Sequence, residues 1–131
     1  MIYVKIGEKQ FPASVTGKLS DKDWDNRASK SITAELSYEE AARLFVDDAE
    51  WYIMQETVAD YQEVLDAEGN PKLDENGEPV LREVTSYESF DNSEYSVAGD
   101  IVAHRDGTVT IKMGKPTAEE LLNMIVEGLA L

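Results

Sequence analysis

Apolar side chains in the first part of this chain fall at every second position. Ile2, Val4 and Ile6 alternate with Tyr3, Lys5 and Gly7, and Phe11, Ala13 and Val15 resume the period after the polar residues 7–10. A period of two places alternate side chains on opposite faces of a strand, so residues 2–15 predict a hairpin. Pro12 has no N–H to give to a ladder, which suits an edge or a strand end. Residues 17–29 are polar and turn-rich, with Trp24 alone among them, and residues 31–36 predict a third strand with Ile32, Ala34 and Leu36 on one face. The period then changes. Ser37, Tyr38, Glu39 and Glu40 have capping-box spacing, in which a serine hydroxyl accepts from the N–H three residues on and the glutamate reaches back. Tyr38, Ala41, Ala42 and Phe45 form one stripe of a short helix over about 38–46, and Asp47 and Asp48 end it. Residues 51–54 are apolar on both faces and predict the start of a central strand. A helix through 51–65 is the alternative that periodicity leaves open.

The middle of the chain repeats itself. Leu65, Asp66, Gly69 and Pro71 recur eight residues later as Leu73, Asp74, Gly77 and Pro79. This is turn chemistry: glycine supplies positive φ, Asp and Asn bond to nearby backbone, and proline fixes the direction of exit. The repeat predicts one or two tight turns joining short strands in an extended, hairpin-like arm over residues 60–90. A floppy acidic linker is the competing reading of the same composition. Residues 80–90 and 95–103 predict strands, with Gly99 marking a bend or bulge. Asp106 and Gly107 predict a two-residue hairpin turn, followed by a strand over 108–113 with Val109, Ile111 and Met113 inward. Thr117 and Glu120 form a second capping box, and Leu121, Leu122, Met124, Ile125 and Val126 give the helix behind it a broad apolar face, with Gly128 as its C-cap. The sum is one domain over residues 1–131 of class α+β. It is mainly antiparallel sheet, with two short capped helices and a protruding acidic arm.

Charge narrows the function. The 131 residues carry 27 Asp and Glu against 12 Lys and Arg, a formal net charge of −15. Such a chain repels phosphate backbones, so a nucleic-acid ligand is not expected and a basic protein partner is favoured. The same charge also serves solubility. Without a cysteine there is no disulfide, thiol nucleophile or thiolate metal site. No apolar run approaches the ~18 residues of a membrane span. Residues 1–6 lack the pattern of a signal peptide.

No set of residues converges on a reaction, and neither a cofactor nor catalysis is expected. His104, Arg105 and Asp106 copy the start of a kinase catalytic loop, but Ile111 stands where the metal-binding Asn belongs. His104 is the sole histidine, and no serine sits on a Gly-x-Ser-x-Gly elbow. The acidic turns invite an EF-hand reading. With Gly77 at loop position 6, Asp74, Asn76 and Glu83 fit and Lys72 does not; with Gly69 there, Val64 takes position 1. Gly114 and Lys115 would need glycine at 109 for a phosphate loop, and Val109 is there. Asp21, Asp23 and Asp25 put three carboxylates around Lys22 and Trp24. A catalytic carboxylate usually needs burial to shift its pKa, and this segment reads as an exposed polar loop pinned by Trp24. Trp24 is also a candidate contact anchor, since tryptophan is enriched at interface hot spots.

Two long segments carry a resemblance: residues 17–33, GKLSDKDWDNRASKSIT, and residues 95–117, YSVAGDIVAHRDGTVTIKMGKPT. Both resemble small acidic proteins encoded in phages and prophages of Gram-positive bacteria, and the Leu-Asp-x-x-Gly-x-Pro repeat is similar to the variable middle of such proteins. The resemblance implies a phage-encoded protein of the bacterial cytoplasm, or one incorporated into the virion. It associates the chain with phage structural and tail-region genes and carries over no functional residue. The expectation is a non-enzymatic accessory protein, a structural or assembly component of the tail. Its contacts are expected at Trp24 and at the turn residues Asp66, Gly69, Asp74 and Gly77, and its partners are phage structural proteins or a basic host protein. The alternative is an acidic, DNA-mimicking inhibitor of a host nucleic-acid-binding enzyme.

Overall fold

The computed structural model describes residues 1–129, apart from the side chains at 58, 59, 128 and 129. The chain forms β1 (Ile2–Ile6), β2 (Lys9–Asp21), β3 (Arg27–Ala34), α1 (Tyr38–Leu44), β4 (Trp51–Glu63), β5 (Leu81–Asp91), β6 (Val97–Ala103), β7 (Val109–Gly114) and α2 (Ala118–Leu129). The strands lie in the order β5-β4-β1-β2-β3-β7-β6. The pairs β1/β2, β2/β3, β3/β7 and β6/β7 are antiparallel, so the class is α+β with a mainly antiparallel sheet. Two compact units divide the chain: Met1–Met54 with Ser89–Leu131, and Gln55–Glu88.

In the first unit, cross-strand partners share a face, and the register gathers the apolar positions on one side. Val4 faces Phe11, Val15 faces Ile32, Ile32 faces Ile111, and Ala34 faces Val109. α1 adds Ala41, and Phe45 follows it onto the same face. At the centre sits Trp51, fully buried. Its ring meets Phe45 and Tyr95 edge-on at centroid distances of 6.4 and 6.5 Å, and its Nε1–H donates to the Tyr95 carbonyl at 3.1 Å. On the opposite face of β3 and β7 lie Ser29, Ser31, Thr33, Thr110 and Lys112.

Several local details differ from the sequence expectations. The stretch 17–29 is not a long loop: β2 runs to Asp21, β3 begins at Arg27, and only a short turn separates them. Pro12 sits in a strand flanked on both sides, yet β3 pairs with β2 only from Ala13 onward, so no N–H is required at Pro12. The hairpin after β6 has a three-residue loop, not two. His104 N–H donates to the Thr108 carbonyl at 2.9 Å, Gly107 N–H donates to the His104 carbonyl, and Gly107 takes φ +88°; this is a turn closed by a residue in the left-handed region. In the α1 stripe, Ala41 and Phe45 are buried while Tyr38 and Ala42 are exposed. α2 continues through Gly128 to Leu129, so Gly128 is not a C-cap. The apolar face of α2 is open to solvent.

The edge strand β6 is guarded. Its register shifts between Ala98 and Ile101, the Ala98 N–H donates to Asp47 Oδ1 at 2.8 Å, and the Ser96 carbonyl accepts from Asp48 N–H at 2.8 Å. A bulge and two occupied backbone groups discourage strand addition at that edge.

The second unit is organised by the eight-residue repeat. Asp66 Oδ1 accepts from the N–H groups of Glu68 and Asn70, and Asp74 Oδ1 accepts from those of Asn76 and Glu78. Bridges join Leu65 to Pro71 and Leu73 to Pro79. Gly69 and Gly77 take φ +85° and +78°, the region a side chain resists. Three backbone bonds then close a ring: Lys72 N–H to Val64 carbonyl at 2.7 Å, Val80 N–H to Lys72 carbonyl at 2.8 Å, and Val64 N–H to Val80 carbonyl at 2.8 Å. The residues after each ring member, Leu65, Leu73 and Leu81, are 57, 57 and 56% exposed.

Candidate functional site

The densest polar arrangement lies where β2 turns into β3. Asp21 is fully buried at the end of β2. Its Oδ2 accepts from Lys112 Nζ at 2.7 Å and from Ser29 Oγ at 2.9 Å, and its Oδ1 accepts from Asp23 N–H at 3.1 Å. The Asp21 carbonyl takes the N–H groups of Trp24 and Asn26, while Asp25 and Asn26 adopt positive φ to close the turn. The backbone therefore folds around one carboxylate.

Trp24 is half-buried and rests on a floor made by two glycines. A Cβ on Gly99 would come within 2.8 Å of the indole, and one on Gly114 within 2.8 Å. The Arg27 guanidinium stacks 4.6 Å from the ring centroid, with Lys112 Nζ 5.9 Å away. Arg27 is itself buried. Its Nε–H donates to the Trp24 carbonyl, its NH1 to the Lys115 carbonyl at 3.3 Å and to Glu120 Oε1 at 2.7 Å, and its NH2 to Asp25 Oδ2 at 3.5 Å. One arginine thus ties the turn, the end of β7 and the first turn of α2 together. The Thr117–Glu120 box is closed in both directions, at 3.0 and 3.2 Å.

The polar groups of this network bond to one another. Ser29 is buried with its hydroxyl committed to Asp21, and Arg27 donates to the Trp24 and Lys115 carbonyls, Glu120 and Asp25. The Lys112 ammonium outweighs the cost of burial and, with Ser29 and the Asp23 N–H, holds the Asp21 carboxyl down to about 2. A base held so far below neutrality is a poor proton acceptor. The buried carboxylate corrects the expectation of an exposed Asp21, Asp23, Asp25 edge: Asp21 points inward, while Asp23 and Asp25 stay exposed.

A pH prediction follows. The folded pKa of Asp21 lies below its ordinary 3.8, so its contribution to stability is fully present above about pH 4 and is lost as pH falls toward about 2. Urea melts between pH 2 and 6 should show a shallower acid slope in Asp21→Asn than in the parent. Parallel curves would refute the assignment.

The remaining candidates separate. Asp66 and Asp74 spend a carboxylate oxygen on turn N–H groups, and Gly69 and Gly77 shape those turns. These four lie in the second unit and Trp24 in the first. His104 is exposed, with Nε2 2.7 Å from Thr110 Oγ1. Asp106 accepts from the Thr108 hydroxyl and N–H, which pull its carboxyl below the usual range. Among the described residues no group of three His, Asp or Glu side chains is placed to hold a metal ion. An open groove of about 560 Å³ over Phe11, Pro12, Ala13 and Ala34 has Glu35 as its one titratable side chain.

Sequence reasoning did not single out Arg27, Ser29 or Lys112. The available signal was a single charged residue on the polar face of each strand, Arg27 in β3 and Lys112 in β7, with Gly114 beside them. Comparison of the chain with protein-family models, curated proteins and solved structures finds no match.

Proposed function

We propose that this is a non-enzymatic accessory protein of a phage or prophage, a structural or assembly component of the virion tail that acts through protein–protein contacts. One observation carries the contact reading. The repeat spends the carboxylates of Asp66 and Asp74 on its own turns and leaves Leu65, Leu73 and Leu81 at nearly equal exposure around a closed backbone ring. Solvent-facing leucines on a self-satisfied scaffold favour association over chemistry. Residues 60–90 are, in this reading, a hairpin-like arm whose turn residues Asp66, Gly69, Asp74 and Gly77 hold the leucines in place. The phage context rests on the resemblance of residues 17–33 and 95–117.

The test is co-purification with tail proteins during prophage induction, at moderate salt. The triple variant Leu65→Ser, Leu73→Ser, Leu81→Ser is expected to stay folded, because exposed substitutions usually change stability by less than about 0.5 kcal/mol each, and to lose the tail proteins. Retention of the tail proteins by the folded variant would remove the arm from the interface. Their absence from the parent's own pull-down would remove the tail assignment.

A second reading, an acidic inhibitor of a host nucleic-acid-binding enzyme, is favoured by where the charge lies. Residues 55–88 hold ten Asp and Glu against two Lys and Arg, a net −8 of the −15 total. Binding to a basic nuclease that weakens steeply with salt would support it. No binding at low salt would end it.

A further inference from the structure

α2 is built in a way that its packing does not explain. Its N-terminus is secured by the Thr117–Glu120 box and by Arg27, whose NH1 holds Glu120 Oε1 at 2.7 Å. Glu120, Asn123 and Glu127 follow one another at helical spacing, so the polar strip begins on the side that Arg27 holds. Leu121, Leu122, Met124, Ile125 and Val126 occupy the rest, an arc of roughly 200° at 100° per residue. All five are open to solvent, at 48–61% exposure. A helix of twelve residues is marginal in water on its own, and this one shows the apolar side of an amphipathic helix to solvent.

Three occupants would cover such a face, and the charge and the breadth of the arc separate them. A second copy would bring another −15 and another helix with Glu119, Glu120 and Glu127 and no cation. An anionic lipid surface calls for Lys and Arg along the helix, and α2 has none. An arc this broad exceeds the narrow seam of a coiled coil and fits a groove that surrounds a helix on three sides.

We infer that α2 is a docking helix whose apolar arc enters a hydrophobic groove on a partner protein rimmed with basic side chains. The inference rests on the reading that the protein works through protein contacts. Leu121 and Ile125, and Leu122 and Val126, are the i, i+4 anchors. The rim cations answer Glu119 and Glu127 at the groove edge and the net charge of the body behind them.

The test uses the full chain with a photo-crosslinking amino acid at one position at a time: 125 in the apolar arc, 123 in the polar strip, and 65 in the repeat. It is irradiated in induced lysogenic bacteria. Position 125 is expected to link one identified protein and position 123 is not. The purified partner should be basic and should bind the parent. Its affinity should fall at least about tenfold for Leu122→Glu with Ile125→Glu, and also as salt rises. Circular dichroism and thermal melts should be unchanged in that variant, since Leu122 and Ile125 are 59 and 61% exposed. Linking of 125 to a second copy or to lipid, a neutral or acidic partner, or an undiminished affinity would each overturn the docking helix. If 125 links nothing while 65 links a protein, the docking helix fails and the contact reading stands; if neither links, both fail.

Discussion

Trp51→Ala is expected to destabilise the protein by about 3–5 kcal/mol, the range for emptying a buried aromatic site. Trp51 is fully enclosed, and its ring bridges Phe45, beyond α1, to Tyr95 before β6. Deleting it removes the transfer free energy of the indole, opens a cavity between α1 and the sheet, and leaves the Tyr95 carbonyl without its 3.1 Å donor. The backbone has little freedom to collapse into the gap, because Trp51 N–H is held by Ser93 Oγ and the Trp51 carbonyl by Asn92 N–H. Trp51→Phe separates the contributions. It keeps most of the packing and loses the donor, for which about 1–3 kcal/mol is expected. Denaturant melts of both variants check this, and a loss below about 1 kcal/mol in the alanine variant would show that Trp51 is not the centre of the core.

Gly114→Ala is expected to cost about 1–3 kcal/mol, although it adds a single methyl. The new Cβ would lie 2.7 Å from Arg27 Cδ and 2.8 Å from Trp24 Cζ3. Neither neighbour yields easily. Moving Arg27 disturbs its bonds to Glu120 and to the Lys115 carbonyl, and moving the indole lifts it off Gly99. Trp24 fluorescence should shift to the red as the ring gains water. Gly107→Ala is the contrast: nothing lies within 4 Å of its Cβ position, but its φ is +88°, so its cost is backbone strain alone, about 1 kcal/mol, with Trp24 emission unchanged. Equal emission changes in both variants would remove the steric explanation.

The strands with clean alternation were legible in the sequence. Val109, Ile111 and Met113 point inward as the period of two requires, and the Gly99 bulge falls where a glycine interrupts it. The turn that Asp21 organises was not legible. Hydropathy assigns Asp21, Arg27 and Ser29 to the surface, but Lys112 pairs with Asp21, and the Lys115 carbonyl and Glu120 with Arg27, only after β3 and β7 have paired. The Asp106–Gly107 pair announces a hairpin, but loop length depends on which residues close it, here His104 and Thr108. α2 shows the limit most clearly. Its apolar face is plain in the sequence, and whether that face finds cover within its own chain is a tertiary fact. The eight-residue spacing of the repeat was visible, while the ring it closes needed a third member, Val80, that carries no Asp-x-x-Gly-x-Pro of its own.

That ring sets an upper limit on copy number. Each eight-residue step hands on one N–H and one carbonyl, and with Val64, Lys72 and Val80 the exchange closes on itself. A chain that lost a step would leave two residues exchanging both bonds as an ordinary antiparallel pair, whereas a chain that gained one would need a wider ring with different angles to keep every donor and acceptor satisfied. Residues inserted at a loop tip, between Asp74 and Glu78, leave the exchange untouched. Divergence in this stretch is therefore expected as longer or shorter tips, and duplication of a whole step should be rarer than growth within one.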